Sequence, residues 1–69
     1  MTKSNFTASA QPIAVTVAGQ PLIATPKQFS TGSVGFYVNG KVPVRIGDQT
    51  VMLQISGSFA AIGSKEWKP

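Results

Sequence analysis

The sequence predicts an all-β domain: one small antiparallel sheet of about five strands, curled into a barrel or roll. Three observations lead there. Runs of β-favouring residues alternate with tight-turn dipeptides, no segment carries a helical apolar period, and 69 residues suffice for one small domain.

The centre of the prediction is V-G-F-Y-V-N-G-K-V-P-V-R-I-G-D-Q-T-V-M-L-Q-I, from Val34 to Ile55. Asn39-Gly40 between apolar runs is the strongest short-range hairpin signal, because both residues accept positive φ. Gly47-Asp48 suits a type II′ turn with Gly at the first central position. A three-stranded meander over residues 33–58 is therefore expected. With a two-residue loop at Gly47-Asp48, Ile46 faces Gln49, Val44 faces Val51 and Val42 faces Leu53. Alternation of side chains then puts these residues and Ile55 on one face. Lys41, Pro43, Arg45, Thr50, Met52 and Gln54 take the other. At Asn39-Gly40 a bulged three-residue loop is favoured over a two-residue one, since it keeps Val34 and Phe36 on the apolar side. Pro43 cannot donate to a ladder, so irregularity is expected around it.

The flanks read as follows. Residues 1–11 are rich in Ser, Thr, Asn and Ala, with Phe6 their only large apolar residue, and read as a flexible tail. The β domain spans 12–64. It opens on I-A-V-T-V from Ile13 to Val17, turns through Ala18-Gly19-Gln20-Pro21, and returns along Leu22–Thr25 until Pro26 limits it. Ser30-Thr31-Gly32-Ser33 reads as a loop; it lacks P-loop spacing, and no helix follows. After Ile55 the strand continues through F-A-A-I, with Gly57 expected to mark a bulge or bend. Residues 65–69 form a C-terminal tail. Trp67, flanked by Lys65 and Lys68, reads first as a lid over the end of a small core and second as a contact for a partner. In size and strand number the domain compares with small oligonucleotide-binding or SH3-like barrels, a likeness that carries no functional weight.

Composition narrows the function classes. There is no His and no Cys, and the two acids are Asp48 and Glu66. Catalysis needs a positioned acid, base or nucleophile, so a non-enzymatic protein without cofactor is expected. The same shortage leaves too few ligands for a metal site, and no disulfide is possible. No run approaches the ~20 apolar residues of a membrane span. No membrane partner is expected, and the lack of Cys is compatible with a cytoplasmic setting. A chain this short with no staple is marginally stable alone, so self-association through strand edges is expected, giving a homo-oligomer.

Six Lys or Arg against two acids give a net charge of +4, a sign that suits an anionic partner. The outward face combines Tyr37 with Lys41 and Arg45. An aromatic ring beside cations on an open sheet holds single strands by stacking bases and tracking phosphates. The expected function is therefore binding of single-stranded DNA or RNA with little sequence preference. Tyr37, Lys41 and Arg45 are the central residues, and Lys27, Lys65 and Trp67 the peripheral ones. The competing expectation is a structural or adaptor protein that self-associates or docks into a larger assembly through its sheet edges.

Overall fold

The computed structural model describes residues 1–69. Its elements are α1 (Lys3–Ser9), β1 (Ile13–Val17), β2 (Gln20–Gln28), β3 (Val34–Ile46), β4 (Gln49–Ala60) and a 3-10 turn at Ser64–Glu66. The strands form one antiparallel sheet in the order β1-β2-β3-β4. The class is all-β. The sheet has four strands where about five were expected, and it stays open where a barrel or roll was expected.

Both hairpin tips follow turn chemistry. Ala18 and Gly19 take φ of 50° and 77°, the type I′ pattern. Gly47 takes φ of 63° and Asp48 stays negative, as type II′ requires. The second tip sets the expected register, with Ile46 opposite Gln49, Val44 opposite Val51 and Val42 opposite Leu53.

Asn39-Gly40 makes no turn, which corrects the expected meander over 33–58. β3 runs straight through it, with Asn39 opposite Ser56 and Gly40 opposite Ile55. A straight β3 gives an unbroken ladder with β4 and lets Val34–Val38 pair with β2 on the other side. Gly40 has a packing reason: a Cβ there would sit 2.8 Å from Leu22 Cδ2. Gly57 also continues the ladder without a bulge, opposite Val38.

The prolines mark where strands stop pairing. Next to a two-residue turn, hydrogen-bonded and non-hydrogen-bonded pairs alternate, starting with a bonded pair. That alternation points the missing N–H of Pro43 away from β4, towards β2. There β2 has already left β3, its last partner being Val38. Pro21 likewise faces β3 beyond that point, and Pro26 faces β1 beyond its first pair at Ala24. Each proline therefore costs no ladder bond. The irregularity expected at Pro43 is absent, and β2 runs past Pro26 to Gln28.

Residues 1–11 hold a helix, against the expected tail. The Thr2 hydroxyl caps α1 by accepting from the Asn5 N–H at 3.1 Å. The Lys3 N–H donates to the Lys68 carbonyl at 2.8 Å, tying the two chain ends together. Phe6 meets Phe36 edge-on at 5.6 Å and Trp67 at 6.4 Å. A seven-residue helix is unstable alone, so this apolar anchor holds it. Trp67 thus closes over one end of the apolar face, as the lid reading expected.

At the same end, Ser64 is buried. Its Oγ accepts from the Val34 N–H at 3.0 Å and donates to the Val34 carbonyl at 3.3 Å. The hydroxyl completes the Val34 backbone where β4 has ended. The apolar core is small: Ala24, Val34, Val38 and Val42. Val34 lies beside the 3-10 turn, held by Ser64, while Ala24 and Val38 pair across β2 and β3.

Candidate nucleic-acid interface

Alternation along the paired strands gives the sheet two unlike faces. One carries Val34, Phe36, Val38, Val42, Val44, Val51, Leu53, Ile55 and Phe59. The other carries Thr25 and Lys27 of β2, Tyr37, Asn39, Lys41 and Arg45 of β3, and Gln54, Ser56 and Ser58 of β4. The expected face assignment therefore survives the loss of the Asn39-Gly40 reversal. The bulged loop and the straight strand both place Phe36 and Val42 on the same side.

The polar face is built around Tyr37. The ring is half-buried, and its hydroxyl lies 3.0 Å from Ser56 Oγ. Lys27 Nζ stands 4.7 Å from the ring centroid and 5.9 Å from that of Phe29. Lys27 is thus the cation nearest the ring, although the sequence placed it at the periphery. The signal for it is the β2–β3 register, with Thr25 opposite Tyr37 and Lys27 opposite Gly35, which the sequence alone does not reveal.

Lys41 and Arg45 share this face, four and eight residues along the same strand. At the rise of an extended chain, the row from Tyr37 to Arg45 spans about 26 Å. Arg45 Nε donates to the Gly47 carbonyl at 3.2 Å, which anchors the guanidinium beside the hairpin tip. Two acids stand against six cations, so positive charge is in excess. The two acids lie at opposite ends of the β3–β4 hairpin, Asp48 in the tip and Glu66 in the 3-10 turn.

Next to Lys27 the face hollows into an open bowl of about 790 Å³, lined by Phe29, Ser30, Thr31, Ser33 and Ser58 among others. The Phe29–Ser33 loop is closed by Phe29 N–H to the Ser33 carbonyl at 2.9 Å and by Gly32 N–H to the Phe29 carbonyl at 3.0 Å. Two further lysines reach this loop. A Cβ on Gly32 would lie 3.8 Å from both Lys3 Nζ and Lys65 Cγ. Sequence reasoning missed Lys3, because residues 1–11 were read as a tail; Thr2 three residues before Asn5 was the available capping signal.

The structure brings Lys27, Tyr37, Lys41 and Arg45 onto one face and sets Lys65 beside the adjoining loop. Trp67 lies elsewhere, sharing an apolar cavity with Phe6 and Phe36 on the opposite face. No protein-family model, curated protein or solved structure matches this chain. The functional reading therefore rests on the chemistry of these residues.

Proposed function

We propose that this chain binds single-stranded nucleic acid, with little sequence preference, along its polar sheet face. The observation that carries the reading is the position of Lys27 Nζ, 4.7 Å from the Tyr37 ring centroid, at the head of a row continued by Lys41 and Arg45. A base stacks on an exposed part of the aromatic ring, and the cations follow the backbone phosphates. The hydroxyl-lined bowl beside Lys27 accepts a phosphate or sugar of the next nucleotide. One arginine and no base-reading pair of side chains fit a contact that ignores sequence.

The role is binding and not catalysis, in a cytoplasmic setting where single strands are accessible, with the protein self-associated. No helix is long and apolar enough to cross a membrane.

The test is an oligonucleotide titration at several salt concentrations, followed by anisotropy of a labelled single strand. Contacts from Lys27, Lys41 and Arg45 release about 0.7 counterion per phosphate, giving a log–log slope near −2. Replacing any one of the three by Ala lowers the slope by about 0.7. Absence of binding at low salt removes the proposal.

A further inference from the structure

The chain has more surface than its size should leave. A compact monomer of 7.2 kDa exposes about 4100 Å², and this one exposes 4892 Å². The excess, roughly 800 Å², is what each partner contributes to a standard protein–protein interface. The radius of gyration tells the same story: 15.1 Å, against about 11 Å for a compact chain of this length. Beyond Val38, β3 keeps only β4 as a paired neighbour; Val42 is still buried there, while Ile46, Val51 and Leu53 stay exposed.

Free edge remains on β1, on short stretches at both ends of β2, on the outer half of β3 and on β4, and these are not alike. β1 is five residues long. The outer half of β3 carries Lys41, Pro43 and Arg45, the residues that discourage strand addition. β4 is twelve residues, Gln49–Ala60, with no charge and no proline. Its outward backbone groups, by the alternation from the Gly47-Asp48 tip, belong to Thr50, Met52, Gln54, Ser56, Ser58 and Ala60. On its apolar side Val51, Leu53 and Phe59 are 39%, 40% and 44% exposed.

We infer that β4 pairs antiparallel with β4 of a second copy, making one eight-stranded sheet across a two-fold axis. An edge without charge can meet itself without repulsion. Outward residues must face outward residues, so the overlap centres on Gln54, opposite Gln54 of the second copy. A two-fold axis perpendicular to the sheet keeps both polar faces on one side and continues the row of Val51, Leu53 and Ile55 across the join. The contact is isologous and closes at two, because the remaining edges are short or guarded by Lys41, Pro43 and Arg45.

Light scattering coupled to size exclusion, without nucleic acid and across a hundredfold range of concentration, tests this. The wild-type mass should be twice 7.2 kDa. Gln54→Pro removes an outward N–H and no bond of the β3–β4 ladder, and should halve the mass with the circular dichroism of the sheet retained. If that variant unfolds, Gln54→Lys and Gln54→Glu decide: each alone should be monomeric, and an equimolar mixture should regain the doubled mass. A wild-type monomer throughout, or Gln54 variants that fold and keep the doubled mass, overturns the inference. Oligonucleotide binding by the monomeric variant is measured separately, so failure here leaves the polar-face reading standing or falling on its own.

Discussion

Gly35 and Gly40 both lack a side chain where one would collide, but with different neighbours. A Cβ on Gly35 would fall 1.8 Å from the Phe59 carbonyl oxygen, which is backbone of the paired strand. A Cβ on Gly40 would meet only the end of Leu22, which can rotate. Gly35→Ala should therefore cost more than about 3 kcal/mol, the upper end for overpacking, and Gly40→Ala about 1 kcal/mol. Urea denaturation of the two variants checks the order. Ala18 sits at φ of 50°, in the left-handed region where a β-carbon is unfavourable. Ala18→Asn creates the Asn-Gly pair that type I′ turns prefer and should raise stability by about 1 kcal/mol, read as a higher melting temperature. These single positions also show where sequence reading falls short. Asn39-Gly40 has the right chemistry for a turn, but Gly40 is needed for the close approach of Leu22, a contact eighteen residues away in the chain. Pattern within a short window cannot separate those two uses of glycine.

At the scale of elements, the Gly47-Asp48 hairpin was fully legible, because a two-residue turn fixes register and alternation fixes the faces. The polar face was legible because the hydrophobic pattern selected the bulged loop, which gives residues before Asn39 the same faces as a straight strand; a two-residue reversal would have inverted them. The position of Lys27 was not legible, because it follows from the β2–β3 pairing across a five-residue loop. Nor was α1, whose seven residues hold a single large apolar side chain. That side chain is what docks it. Phe6→Ala should release α1 from Phe36 and Trp67 at a cost of about 2 kcal/mol, the value of one half-covered aromatic. Trp67 is the only tryptophan, so its fluorescence should shift to the red as the ring gains water. An unchanged emission spectrum would show that the helix does not cover it. Pro21 was read as part of a turn, Pro26 as the limit of its strand and Pro43 as a local irregularity; each instead lies in a strand where a neighbouring strand has ended, so the missing N–H removes no pairing.

For the whole molecule, the sheet separates two tasks. Its apolar face meets α1 through Phe6 at Phe36, Val42 is buried further along, and Val51, Leu53 and Phe59 on β4 remain partly exposed. Its polar face presents an aromatic ring and a row of cations, in a chain of net charge +4. Under the proposed function, a bound polyanion would relieve the repulsion among those cations and use the ring at once. The most direct measurement compares the affinity of wild type, Tyr37→Ala and Trp67→Phe for one unstructured oligonucleotide at fixed low salt. Stacking on Tyr37 predicts a loss of about 1–3 kcal/mol for Tyr37→Ala, roughly a 5- to 150-fold weaker Kd, with Trp67→Phe unchanged. Equal affinity of Tyr37→Ala and wild type, or a loss confined to Trp67→Phe, would contradict the account.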